Sequence, residues 1–315
     1  MRVRDTNCVL LMCVLFVCGH VNDVEESGHS LELTQSLNLG RQELIQQACA
    51  HFPPSYSLED LQPTELEHIL VDDEHKLLYC YVPKVACTNW KRILTILSGR
   101  WKNNTDVLSV PANEVHERGL FRSLDSVNKT ERDFMLDTYH KMIIVRNPFE
   151  RLLSAYRNKL EGESQSAKYF QDRVGRRIVK AFRENPTNES LALGHDVSFK
   201  EFALFLTNQS KELADVVSNE HWRPITSLCH PCHIKYTLVG KYETLLDDSL
   251  LALHTINASH IRFPHLDHTS GTSEKLRKYY SQLDLPLIRR LYKLYEHDYR
   301  IFNYDIDNIV GFNLG

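Results

Sequence analysis

The chain has 315 residues, 42% hydrophobic and 25% charged, with a formal net charge of −4. That length suits one large or two small globular domains, and the composition excludes a disordered chain, a collagen-like chain and a multi-span membrane protein. Net acidity argues against a general nucleic-acid binder, but the charge is unevenly spread. His75 to Thr105 holds six basic residues and no acid, and Tyr139 to Arg183 holds 11 basic and four acidic residues. Positive charge gathered into two segments of an acidic protein points to an anionic ligand.

In chain order, Arg2 and Arg4 precede an unbroken apolar run from Cys8 to Cys18. This is the layout of a secretory signal, and eleven helical residues rise only about 16 Å, roughly half a bilayer core. Residues 1–20 are therefore a cleaved signal peptide or a short signal-anchor, and the remainder enters the secretory pathway. Five N-x-S/T sequons, at Asn103, Asn128, Asn188, Asn208 and Asn257, agree with a glycosylated lumenal protein. Residues 21–70 are polar and weakly patterned and read as a stem, leaving residues 71–315 as the folded domain.

From residue 71 the pattern alternates. Leu77 to Val82 is a short apolar run stopped by Pro83, suited to a buried strand, and Asn89 to Leu97 carries Trp90, Ile93, Leu94 and Leu97 at helical spacing. Met142 to Val145 is a second strand, followed by a helix with Pro148 in its first turn. Ser198 and Glu201 form a capping box before a helix reaching Leu206, Tyr236 to Gly240 reads as a strand, and Pro286 opens a last helix. Strands alternating with helices predict an α/β fold with a mainly parallel sheet.

Two strand-loop-helix units could hold phosphates. In Tyr79-Cys80-Tyr81-Val82-Pro83-Lys84-Val85-Ala86-Cys87-Thr88-Asn89-Trp90 the loop aims backbone N–H groups and a helix N-terminus at one spot. Small residues admit an anion there and Lys84 adds a cation, although the glycines of a Walker A loop are absent. An ordinary strand-helix connection with a surface lysine is the plainer alternative. The second unit is Arg146-Asn147-Pro148-Phe149-Glu150-Arg151-Leu152-Leu153-Ser154. Its arginine stands at the C-terminal end of a strand, where α/β folds bind ligands, with Ser154 about two turns into the next helix. An arginine capping sheet carbonyls is the alternative.

PKVACTNW and VRNPFERLLSAYRNK resemble the two nucleotide-binding signatures of Golgi carbohydrate sulfotransferases, which use 3′-phosphoadenosine 5′-phosphosulfate (PAPS). NEHWRPITSLCHPCHIKYTLVGKYETL resembles a later block of the chondroitin/dermatan 4-O-sulfotransferase branch. The resemblance runs from about residue 78 to the C-terminus. It implies a three-layer sulfotransferase fold related to P-loop nucleotide-binding folds. Pro83 to Asn89 (Pro83, Lys84, Val85, Ala86, Cys87, Thr88 and Asn89) would then cradle the 5′-phosphosulfate, and Arg146 to Ser154 the 3′-phosphate. It further implies a type II Golgi membrane protein with a lumenal catalytic domain, secretion after cleavage being the alternative, and a chondroitin or dermatan acceptor. A sulfotransferase for terminal N-acetylgalactosamine of N-glycans, a lumenal glycan-binding protein without turnover and a P-loop kinase are the rival functions.

Sulfuryl transfer is an in-line displacement governed by positioning and charge, so it needs no metal, and the sequence presents no strong metal constellation. Lys84 would meet the charge that builds on the leaving phosphate. A general base must take the sugar proton. His116 is the first candidate because it lies between the two nucleotide units, where a related sulfotransferase branch places its base; His221 is second and Glu220 third. Arg173, Arg176, Arg177 and Lys180 fall at i, i+3, i+4 and i+7 and are expected to present one basic helix face to an anionic glycan. Outside the signal the cysteines are Cys49, Cys80, Cys87, Cys229 and Cys232, an odd number, so at least one is free or pairs between chains. Cys229-His230-Pro231-Cys232-His233 reads as haem attachment, a zinc ligand pair or a disulfide, within the motif or to another cysteine; the family likeness and the oxidising lumen favour the disulfide.

Overall fold

The structure, a computed structural model, describes the backbone of residues 8–101, 105–208, 213–265 and 272–306; within the first helix, side chains are described from Ser30. Among the described residues the sheet has four strands in the order β1 (Ile69–Asp72), β2 (Leu77–Cys80), β3 (His140–Val145), β4 (Leu238–Lys241). β1 and β2 form an antiparallel hairpin, whereas β2, β3 and β4 run parallel, with Tyr79 opposite Met142 and Met142 opposite Leu238. β2 is buried along its whole length and β3 at all but His140, as the unbroken apolar runs dictate for parallel strands covered on both faces. The sheet is the expected mainly parallel one of an α/β fold.

Each parallel strand hands the chain to a helix. β2 leads into α1 (Cys87–Leu97), whose Trp90 ring lies 5.8 Å from that of Tyr79 and closes the core over the sheet. β3 leads into α2 (Pro148–Lys159), and β4 into α3 (Leu245–Thr255). A second, aromatic-rich core gathers α2 with α4 (Arg176–Phe182), α5 (Phe199–Leu206) and the last long helix α6 (Leu285–Ile301). Phe149 of α2 stacks on Tyr280 there, with ring centroids 4.7 Å apart. Because β2 and β3 are parallel, the loop after β2 and the turn after β3 emerge side by side at the C-terminal ends of these strands.

The segment expected to be a stem carries more structure than its pattern implies. A helix, αN (Cys8–His51), packs its described part against β4, α3 and α6. The Asn38 side chain donates to Thr237 O at 2.9 Å and accepts from Val239 N at 2.7 Å, so one amide pairs with the free edge of β4. Arg41 adds bonds to Val239 O and to Asp248 Oδ1, and Cys49 is joined to Cys232. An exposed sheet edge needs covering. Polar side chains do it here, which is why residues 30–51 lack an apolar stripe. Residues 58–72 follow with two short 3-10 turns and β1, all ahead of or at the expected boundary at residue 71.

The second disulfide joins Cys80 to Cys229, and Cys87 is free and buried. Both cysteines of Cys229-His230-Pro231-Cys232-His233 thus pair outward, not with each other. The side chains of residues 1–20 lie outside the described set. Among the described residues no helix is long and apolar enough to cross a membrane.

The helix expected to carry four cations on one face is interrupted. Between a short helix, Gln165–Phe170, and α4 the chain makes a π turn at Gln171–Gly175, which rotates Arg173 out of register with Arg176, Arg177 and Lys180. The turn brings Gly175 against Gly194: a Cβ at Gly175 would stand 2.1 Å from Gly194 O, so no larger residue fits there.

Candidate active site

The loop after β2 turns without glycine. Lys84 and Ala86 both hold left-handed backbone, at φ 72° and 56°, a conformation worth about 1–3 kcal/mol of strain at each non-glycine residue. Ala86 is the N-cap of α1 and offers no side-chain cap, so the positive end of that helix faces the space in front of the loop. At the end of β3, Arg146 is 2% exposed. Its guanidinium lies 3.2 Å from Glu150 Oε2, donates to Lys84 O at 3.4 Å and stacks 4.1 Å above the Tyr242 ring. The two sequence units are therefore tied to one another by Arg146.

Both units open on a cleft of about 1160 Å³. Pro83, Lys84, Ala86, Cys87, Thr88, Asn89, Arg146 and Ser154 line it, and so do His116, Glu220 and His221. Burial, reinforced by Lys159, Arg146 and Arg151, lowers the Lys84 ammonium to a pKa of about 8. Burial and the cations Lys91, Lys159 and Arg92 hold His116 near 4, and burial with Lys159, Lys84 and Arg151 holds His221 near 2. Both imidazoles are therefore neutral at pH 7, and they remain weak bases until a bound anion offsets the neighbouring cations. Burial pushes the Cys87 thiol up, so it is present as an uncharged SH. Such a site concentrates positive charge and helix dipole beside neutral bases.

A profile of the sulfotransferase family matches residues 67–305. The chain belongs to the sulfotransferase family. It is 40% identical over 281 residues to carbohydrate sulfotransferase 11 of Rattus norvegicus, covering 88% of this chain and 79% of the relative. Carbohydrate sulfotransferase 14 of Danio rerio is 36% identical over 275 residues, 85% of this chain and 71% of its own. Carbohydrate sulfotransferase 8 of Mus musculus is 35% identical over 270 residues, 84% and 63%. No solved structure matches.

Within this sulfotransferase the expected site residues divide by role. Val85 is buried beneath the loop, and Phe149, Leu152 and Leu153 belong to the helical core. Asn147 caps α2, its Oδ1 accepting from Phe149 N and Glu150 N, with Pro148 in the first turn; Glu150 holds Arg146. Arg151 does not reach the cleft. Its buried guanidinium donates to Pro83 O, Arg223 O and Glu220 O at 2.7–3.0 Å, clamping the donor loop to the segment that carries Glu220 and His221. Of the second unit only Arg146 and Ser154 face the cleft, because helical periodicity turns the others inward.

Arg173, Arg176, Arg177 and Lys180 do not line the cleft. Arg176 is paired with Asp172 at 2.9 Å, Arg177 holds both oxygens of Asp215, and Arg173 stacks on Tyr169. The repulsion expected of four neighbouring cations is relieved by these partners. Sequence reasoning assigned no role to Lys91, Arg118, Asn158, Lys159 and Tyr242, all at the cleft, although Asn158 and Lys159 close the VRNPFERLLSAYRNK signature. Asn158 stands at i+4 from Ser154, a spacing that alone would have placed it there. Arg118 and Tyr242 carried no such signal. Among the described residues no group of three or more His, Cys, Asp or Glu could hold a metal.

Proposed function

We propose that the chain transfers the sulfuryl group of PAPS to the 4-hydroxyl of N-acetylgalactosamine in chondroitin or dermatan, inside the Golgi lumen. The observation that carries this reading is the Arg146 guanidinium bound to the Lys84 carbonyl in one cleft at the ends of two parallel strands. Arg146 with Ser154 would take the 3′-phosphate; Lys84 and the N-terminus of α1 would take the 5′-phosphosulfate. The acceptor oxygen attacks sulfur as the bond from sulfur to the 5′-phosphate oxygen breaks. The electron pair leaves with the nucleotide, Lys84 meets the charge that gathers there, and the hydroxyl proton passes to His116, with His221 as the second candidate.

The names of the relatives support a carbohydrate acceptor, and the sequence resemblance supports the 4-position. Two disulfides suit an oxidising lumen. Asn128, Asn188 and Asn257 are exposed, as glycan acceptors must be, Asn208 is partly exposed, and Asn103 lies outside the described residues. Membrane anchoring would fall to residues 1–20.

The test supplies the full chain with radiolabelled PAPS and, separately, desulfated chondroitin, desulfated dermatan and heparosan, then digests the product to disaccharides. Label at the 4-position of N-acetylgalactosamine is expected. Label elsewhere, or on heparosan alone, sinks the acceptor assignment. PAPS binding without transfer to any of the three redirects the search to terminal N-acetylgalactosamine of N-glycans.

A further inference from the structure

We propose that Lys159 is a further catalytic residue, whose ammonium binds the oxygens of the sulfuryl group as it passes from donor to acceptor. This rests on the donor reading above. Lys159 ends α2, five residues after Ser154, which places its backbone about 7.5 Å farther along the helix axis. It lines the cleft, and its charge acts on Lys84, His116 and His221 alike, the leaving-group cation and the two candidate bases. The transferring group must travel between those residues.

Among the described residues no acid pairs with this ammonium, and its partners are Ser166 Oγ at 2.7 Å and the Phe170 ring, 4.8 Å away at the centroid. Burial lowers its pKa, with Glu220 opposing only through space. A half-buried cation set among like charges and held by a hydroxyl and a ring is costly until an anion completes it. In the donor reading above, Arg146 and Ser154 take the 3′-phosphate, and Lys84 and the loop take the phosphate end of the 5′-phosphosulfate. The sulfuryl oxygens are the donor anion left over. Lys159 stays protonated throughout: the sulfur–oxygen bonds form and break as described, the proton goes to the base, and Lys159 supplies only hydrogen bonds and charge to the sulfuryl oxygens.

Binding of PAPS and of 3′,5′-adenosine bisphosphate, which lacks the sulfuryl group, separates this role from others. Both are titrated without acceptor against the wild type, K159M and K159R. Losing a charged hydrogen bond predicts PAPS binding weakened about tenfold or more in K159M, the bisphosphate within about twofold, and partial recovery in K159R. Turnover should fall about 10²-fold or more in K159M. Retained bisphosphate binding shows that the variant is folded. Unchanged PAPS binding, equal loss of both nucleotides, or a defect confined to the acceptor Michaelis constant overturns the proposal. Wild-type protein that binds neither nucleotide overturns the donor reading itself.

Discussion

His116 Nε2 lies 3.0 Å from Thr88 Oγ1, so a candidate base is hydrogen-bonded to the first turn of the helix that faces the donor. With Nε2 unprotonated, the threonine hydroxyl donates to it, and an acceptor hydroxyl could take the same place. H116A is expected to lower turnover 10²–10⁴-fold while leaving PAPS binding unchanged. The pH profile is the sharper check. Burial and three neighbouring cations keep the free imidazole neutral down to about pH 4, so kcat/KM should fall only as the pH drops towards that value. A bound anionic donor offsets the cations and raises the pKa, so the acid limb of kcat should lie at higher pH than that of kcat/KM. Coincident limbs near 6.5 would remove His116 from this role.

Arg146 and Ser154 differ in how strongly they should hold a phosphate. The guanidinium is already oriented by Glu150, Lys84 O and Tyr242, so it meets an anion with little entropy to lose. R146A should raise the donor Michaelis constant about 10- to 100-fold, and S154A, which loses one neutral donor, by about tenfold or less. The acceptor constant should not move in either variant. Initial rates with each substrate varied in turn decide the point.

The parallel strands were legible because a buried strand needs an unbroken apolar run, and Leu77 to Cys80 and Met142 to Val145 supply it. The donor loop was legible because its residues are contiguous. The rest of the cleft was not: Arg118 and Tyr242 come from segments distant in sequence, and their proximity to the two units is a tertiary fact. The helix αN escaped for a different reason, since its contacts with β4 are hydrogen bonds made by Asn38, Arg41 and Gln42. N38A removes a donor and an acceptor from backbone groups of a sheet edge, and about 1–3 kcal/mol of stability should go with each group left unpaired. Chemical denaturation of the full chain measures it, and a loss below about 0.5 kcal/mol, the usual range for surface changes, would mean that the edge is not held by this residue.

Arg176 and Arg177 lie outside the cleft and are committed to Asp172 and Asp215. Exposed pairs of this kind contribute about 0–1 kcal/mol, so their reversal should be tolerated by the fold. R176E and R177E are expected to leave both Michaelis constants within about twofold of wild type, since one salt-screened surface charge outside the cleft has little to act on. A rise in the acceptor constant alone, on a long chondroitin chain and not on an oligosaccharide, would show instead that the polymer reaches beyond the cleft to this helix.

Arg151 is 1% exposed and spends three donors on carbonyls of Pro83, Glu220 and Arg223. It thereby fixes the distance between the loop that carries Lys84 and the segment that carries Glu220 and His221, without touching either ligand. R151M would strand three buried carbonyl oxygens at about 1–3 kcal/mol each, a loss comparable with the whole stability of a domain. That variant should be secreted poorly or not at all. R151K keeps the charge but replaces a planar fork with a single ammonium, which cannot reach three diverging acceptors at once. It should fold with reduced stability, and both the donor Michaelis constant and turnover should worsen, because the loop and the His221 segment lose their common anchor together. Urea denaturation combined with initial rates on R151K tests this. Lower stability with unchanged kinetic constants would make Arg151 a purely structural clamp, and a donor constant that worsens while stability holds would place it in contact with the nucleotide.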